Sequence, residues 1–349
     1  MTRITFVANS GVMFHESGLV SQSSRIRVLN LSQKLKERGF SSDVHFLLNS
    51  SVSEIHDAIR KSDLVLFHRI QAEKRFIPHR WTRLYFLAKR ERPVIFDFDD
   101  SIQLDFPILT ELCIKASDAV TVGSHELSQY SRRLNQNTYL IPSAVDVDVY
   151  RPPNPAEHAH FEKRNNTVVI GWHGSAAAHW RNLLILKDVL RKLKQKLRVD
   201  IVLRLIGGPF TPSLASQFNR ILPVQSGPEK WVEYDELPQY ISGVDIGVYP
   251  LADTSRMASK ASMKMLEQMA MGIPVVASSV GENRHITTNG YDGFLVSNVE
   301  EWISRLQALI ENPELRNTVG AHARETVLRN YSLDVAATKL AGVFDSLIE

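Results

Sequence analysis

The chain has 349 residues, 44% hydrophobic and 23% charged, which is long for one hydrophobic core, suits two, and excludes a disordered or fibrous protein. Lys and Arg number 41 against 38 Asp and Glu, and a net charge of +3 is too small a field to argue for nucleic acid, so no nucleic-acid partner is expected. The single cysteine, Cys113, excludes an internal disulfide and fits a reducing compartment.

Met1 to Asn9 runs directly into an apolar strand, without the charged region and small-residue cleavage site of a secretory signal. No stretch reaches the roughly 20 apolar residues that span a bilayer. The nearest, Met269 to Val280, is broken by Gly272 and Pro274, so a cytoplasmic protein is expected. Strand-like runs at Ile4 to Ala8, Asp43 to Leu47 and Leu64 to Phe67 alternate with helical patterns near Ser24 to Arg38 and Ser53 to Lys61. Further strands are expected at Val94 to Phe98, Ala119 to Val122 and Tyr139 to Ile141. Such alternation predicts a parallel sheet with right-handed crossovers. Between Pro142 and Asn166 the prolines 152, 153 and 155 and clustered polar residues break the pattern, which marks a linker.

The alternation restarts with strands at Val168 to Trp172, Ile201 to Gly207, Ile246 to Tyr249 and Val275 to Ala277. Helices are expected at Asn182 to Lys196, Glu236 to Ile241 and Ala261 to Met271. The expected organisation is α/β throughout: a Rossmann-like domain over 1–145, a linker over 146–166, a second Rossmann-like domain over 167–330, and a last helix in 331–349. That helix places Ala336, Ala337, Leu340, Val343, Phe344 and Leu347 on one face and is expected to pack back across the domains. Ligands of open α/β sheets bind at the carboxyl ends of the strands, so the chemistry is expected in a cleft there.

Residues 245–280 read DIGVYPLADTSRMASKASMKMLEQMAMGIPVVASSV: a buried strand, a polar loop with Arg256 and Lys260, a helix, then a second buried strand. A lysine where a loop enters a helix makes an anion site, because free N–H groups, the dipole and the ammonium all favour negative charge; a diphosphate is the natural occupant. Glu267, two turns on, is placed to accept hydrogen bonds from ribose hydroxyls.

These runs, with SVGENRHIT, NGYDGFLV, GWHGS at Gly171 to Ser175, VTVGS at Val120 to Ser124 and IPSAVDVDVYRP at Ile141 to Pro152, resemble the retaining family 4 glycosyltransferases of the GT-B fold over most of the chain. The resemblance implies a nucleotide-diphosphate sugar (UDP- or GDP-sugar) bound by the C-terminal domain and a glycan, lipid-linked or small-molecule acceptor bound by the N-terminal one. It also implies retained anomeric configuration, with no metal and no other cofactor. Glu267 matches the second glutamate of the family's pair, while the first falls at Ser259, a departure that leaves donor-sugar choice open.

On this reading the donor site comprises Gly174, Ser175, Arg181, Lys260, Lys264 and Glu267, with Lys260 also catalytic and Gly11, Asp97 and Asp100 on the acceptor side of the cleft. Gly174 lets backbone approach a phosphate. Arg181 stands in for an arginine the family places at Ser175, and Lys264 is either a second phosphate ligand or a solvated helix residue. His173 and His179 flank the loop. Asp97, Asp99 and Asp100 end the strand PVIFDFDD, and Asp99 falls where the family commonly has a histidine beside the donor sugar. Two readings of Asp99 stand together: a catalytic carboxylate that orients the acceptor or supports an oxocarbenium-like centre, and a strand-end cap. Gly11 and Gly18 resemble the glycine loop near the donor phosphates, and lack the third glycine of a dinucleotide fingerprint.

Between His68 and Pro93 lie Arg69, Lys74, Arg75, Arg80, Arg83, Lys89, Arg90 and Arg92, with Trp81, Leu84, Tyr85 and Ala88 on one helical face. This is either a solvated basic helix over a buried aromatic stripe or a peripheral contact with an anionic membrane at its inner face. Two other functions share the architecture: an epimerase or hydrolase of nucleotide sugars, and a noncatalytic nucleotide-sugar-binding protein.

Overall fold

The computed structural model describes residues 1–8, 21–47, 49–69, 78–154, 161 and 166–348, with backbone alone at 78 and 79. Two compact units result: Met1–Ala144 with Ala258–Ala261 and Tyr331–Glu349, and Val145–Met257 with Ser262–Asn330.

The first unit is built on a parallel sheet of β1 (Arg3–Ala8), β2 (Ser41–Phe46), β3 (Leu64–His68), β4 (Val94–Phe98), β5 (Ala119–Val122) and β6 (Thr138–Leu140), in the order β2-β1-β3-β4-β5-β6. The strands β3, β4 and β5 are buried at every residue, because helices cover both faces of a parallel sheet. One face packs Trp81, Leu84 and Tyr85 of helix Pro78–Glu91 against Phe67 and Phe96, with the Trp81 and Tyr85 rings stacked at 5.1 Å. The aromatic stripe of that helix is therefore core. Lys89 is paired with Asp118, Arg80 donates to the Ser50 carbonyl, and Arg92 donates to the Arg60 carbonyl at 2.5 Å.

The other face is closed by the last helix, Leu333–Ile348, whose Leu333, Ala336, Ala337, Leu340, Val343 and Phe344 pack with Ile4, Phe6, Leu31 and Leu35. Phe344 meets Phe6 and Phe40 edge-on at 6.5 and 5.8 Å.

The second unit repeats the plan with β7 (Thr167–His173), β8 (Asp200–Ile206), β9 (Val224–Gly227), β10 (Ile246–Tyr249), β11 (Val275–Ser278) and β12 (Phe294–Val296), ordered β12-β11-β10-β7-β8-β9. The sequence pattern does not show β9 or β12: β9 (VQSG) is polar and β12 is three residues long. Both are edge strands, where partial burial relaxes the apolar requirement.

Strand order reverses between β1 and β3 in one unit and between β7 and β10 in the other, and it is at such points that the carboxyl ends of the strands splay apart. His68 ends β3 and His173 ends β7.

Candidate functional site

In the first unit, neighbouring strands put His68, Asp97 and Thr121 in one lateral row: His68 is in register with Asp97, and Asp97 with Thr121. Cross-strand partners project to the same face, so the three side chains meet. Asp97, 2% exposed, accepts from four donors. Thr121 Oγ1 donates to Oδ1 at 2.6 Å, His68 Nδ1 lies 2.7 Å from Oδ2, Arg27 Nε donates to Oδ2 at 2.9 Å, and Arg27 Nη2 reaches Oδ1. Burial alone would raise this carboxyl, but the Arg27 charge, its hydrogen bonds and that of His68 hold it below the usual carboxylate range. With both oxygens filled, Asp97 anchors the carboxyl ends of three strands to Arg27, which also donates to the Ile141 carbonyl at 2.7 Å.

Asp99 follows at the strand end, with its Cβ so near Gly123 that a Cβ there would sit 2.8 Å from it. Ser23 Oγ donates to Asp99 Oδ1 at 2.7 Å and lies 3.1 Å from His68 Nε2, while Arg69 Nη1 stands 3.6 Å from the same carboxylate oxygen. Asp100 accepts from the Ser101 amide at 2.8 Å and from Lys260 Nζ at 3.5 Å. Burial would raise the Asp100 carboxyl, but Lys260 and Arg69 bring it down to about 2. Lys260 therefore faces Asp100. Its loop is fastened within the first unit by Ser124 Oγ, which donates to the Ser259 carbonyl at 3.0 Å. Among the described residues no group of three or more His, Cys, Asp or Glu is arranged to hold a metal ion.

In the second unit β7 ends at His173 and turns at Gly174, whose φ of +136° favours glycine. A Cβ on Gly174 would lie 2.0 Å from Lys264 Cε, so the lysine stem runs directly over the bare turn. Lys264 Nζ ends 3.3 Å from His179 Nε2. Ser175 caps helix Ala176–Leu183, its side chain accepting from the Ala178 amide, and Arg181 is exposed on that helix. Gly174, Ser175, Lys264 and His179 thus converge, and Arg181 stands apart as a surface cation.

Helix Met263–Ala270 begins two residues later than the pattern suggested, after Ser262, whose left-handed φ of 55° delays it. Its Glu267 is wholly buried. Glu267 Oε2 lies 2.7 Å from His173 Nε2, and Gln268 Nε2 lies 3.1 Å from His173 Nδ1. His173 thus bridges Glu267 and Gln268 through its two ring nitrogens. Burial and the Glu267 carboxylate raise the Tyr150 phenol well above its ordinary value. No local pattern in the sequence marks Arg27, Ser23, Tyr150 or His68 as a site residue. Gly11, Gly18, Lys74 and Arg75 lie outside the described residues.

Residues 167–312 match the family model of Glycosyl transferases group 1. The matched segment lies within residues 145–330, which include the second unit. Spore coat protein SA of Bacillus subtilis is 22% identical over 257 residues, 67% of this chain and 67% of that protein. Sulfoquinovosyl transferase SQD2 of Arabidopsis thaliana is 30% identical over 166 residues, 46% of this chain and 30% of that protein. A solved structure of Anabaena Alr3699/HepE in complex with UDP and glucose superposes with a TM-score of 0.72 at 16% identity, covering 99% of this chain and 100% of that one. At that identity the likeness is one of fold, and the two parallel sheets with flanking helices are those of GT-B glycosyltransferases. The matched segment contains Gly174, Lys264, His173 and Glu267.

Proposed function

We propose that this group 1 glycosyltransferase transfers a sugar from a UDP- or GDP-sugar to a hydroxyl of a glycan or lipid-linked acceptor, with retention and without a metal ion. The observation that carries the reading is the Gly174 turn laid against Lys264 at a strand-order reversal of the second unit. A backbone with no Cβ, the N-terminus of helix Ala176–Leu183 and an ammonium together suit a diphosphate. As the anomeric bond breaks, negative charge grows on the leaving diphosphate. Fixed cations favour that transition state over the ground state and take the part a metal would play.

Glu267 is assigned to the donor ribose. Its carboxylate is held in place by His173. Asp99, already accepting from Ser23, is assigned to the acceptor hydroxyl. The known UDP complex of Anabaena HepE supports the choice of nucleotide.

A thermal-shift series with UDP-glucose and GDP-mannose in EDTA tests the reading. A donor at about 100 times its Kd raises stability by about 2.7 kcal/mol. Lys264→Ala is expected to weaken donor binding at least about tenfold. Wild-type affinity in that variant removes the diphosphate assignment, and stabilisation only with added Mg²⁺ removes metal independence. The anomeric proton of the product, read by NMR, reports retention or inversion. Binding without turnover against any acceptor extract identifies a noncatalytic binder instead.

A further inference from the structure

The outward side of the first unit carries apolar side chains that its core does not use. Helix Pro107–Ala116 turns Thr110, Cys113 and Ile114 inward, while Ile108 and Leu112, one turn apart, lie on its opposite side. Ile108 is 84% exposed and Leu112 47%, and Leu104, on the preceding helix Ile102–Asp105, is also 47% exposed. Three of the ten exposed large hydrophobic side chains among the described residues thus fall between Leu104 and Leu112, and the others are scattered along the chain. A single exposed aliphatic needs no explanation, but a group of them on one surface marks a contact.

The neighbouring helix supplies charge. Helix Pro78–Glu91 is fastened to this one by the Tyr85 hydroxyl, which donates to the Cys113 carbonyl at 2.8 Å, and by Lys89, which pairs with Asp118 just past its end. Its aromatic stripe is turned into the core, which leaves Arg83 and Arg90 outward, exposed and without an ion pair among the described residues. Of the acids on these helices, Glu91 is paired with His56 and Glu111 with Lys115, and Asp105 is the third. Arg and Lys outnumber carboxylates five to three over the three helices, so the face is positive on balance.

We propose that this face docks the first unit on an anionic lipid bilayer, with Leu104, Ile108 and Leu112 entering the headgroup boundary and Arg83 and Arg90 meeting lipid phosphates. An aliphatic ridge beside unpaired guanidinium groups complements a surface that is apolar beneath and negative on top, and the arginine stems add apolar length along that boundary. A second copy of the chain fits the ridge less well. A stable dimer buries roughly 800 Å² on each partner and centres on aromatic side chains, whereas this ridge offers three aliphatics and the nearby aromatics pack in the core. The inference uses no step of glycosyl transfer, and it suits a lipid-linked acceptor.

The test is co-sedimentation of the full-length protein, without donor or acceptor, with sucrose-loaded vesicles of phosphatidylcholine alone or mixed with phosphatidylglycerol. Docking predicts that the mixed vesicles carry the protein down at low salt. Partitioning should be at least about tenfold weaker on phosphatidylcholine alone and at about 1 M salt, where charges are screened beyond about 3 Å. Ile108→Asp, and Arg83→Glu combined with Arg90→Glu, are each expected to lower partitioning about tenfold or more. The replaced side chains are exposed, so the thermal midpoint of each variant should match wild type and a loss of partitioning is then not unfolding. Phe210→Asp, at an exposed aromatic of the second unit, is expected to leave partitioning unchanged. No sedimentation with the mixed vesicles, equal partitioning on both lipids, or a wild-type value in Ile108→Asp overturns the docking face. Dimerisation in sedimentation velocity that Ile108→Asp abolishes, without vesicle binding, assigns the ridge to a second copy and also overturns it. Donor-induced thermal stabilisation, read on the same samples, decides the transferase reading independently.

Discussion

Replacing Arg27 with Met would strip the first unit of the cation that neutralises its most enclosed carboxylate. Arg27 is 1% exposed and gives three of its hydrogen bonds to buried acceptors, two on Asp97 and one on the Ile141 carbonyl. Methionine fits the stem but leaves Asp97 with His68 and Thr121 as its remaining donors. Removing one partner of a buried ion pair costs about 3–5 kcal/mol, because the other charge stays dehydrated. For a unit of this size, about 4 kcal/mol lowers Tm by roughly 8–16 °C.

The loss should depend on pH. In the wild type Asp97 is held below its unfolded value, so its contribution is complete above about pH 4 and disappears as the pH falls through the folded value. Without Arg27, burial dominates and raises the carboxyl, so the variant is penalised most at high pH and recovers part of its stability as Asp97 protonates. The assay is a thermal ramp between about pH 5 and 8, with hydrogen exchange of β1–β6 peptides against β7–β12 peptides to locate the change. A fall of under about 1 kcal/mol, or a loss spread equally over both units, would refute the assignment of Asp97 as an anchored anion.

Gly174→Ala should cost about 1–3 kcal/mol, since the new Cβ sits 2.0 Å from Lys264 Cε at a φ of +136°. The displaced lysine should also weaken UDP-glucose binding, and calorimetric titration showing wild-type affinity would detach the turn from the donor. Lys260→Met removes the main charge that brings Asp100 down to about 2. That group supports folding above about pH 4 and loses its contribution as the pH falls toward 2, so the variant's acid-unfolding midpoint should rise. Because Asp100 is 31% exposed, solvent screening limits the difference near neutral pH to about 1 kcal/mol.

The aromatic stripe Trp81, Leu84, Tyr85 and Ala88 and the apolar face of the last helix were legible because each repeats at the period of the element that buries it. The same holds for the central strands β3, β4, β5, β7, β10 and β11, which are buried from end to end. Arg27 escaped that logic for a definite reason. Residues Arg25–Asn30 form a π-helical turn, which shifts the helical phase and buries Ile26, Arg27 and Val28 in succession, so no 3.6-residue wheel points to the arginine. Glu267 was legible as a residue but its partner was not, since His173 lies 94 positions earlier, at the end of a strand.

The sequence by itself determined two parallel α/β units, the glycine turn after β7 and the charged residues at the strand ends, because periodicity and turn chemistry are local properties of the chain. Tertiary structure alone decided which of those residues meet. The row of His68, Asp97 and Thr121 exists through the register of β3, β4 and β5, and Lys264 lies over Gly174 through the packing of a helix against a strand end. Strand order and register are set by how distant segments share a core, and a single chain of letters does not carry that distance.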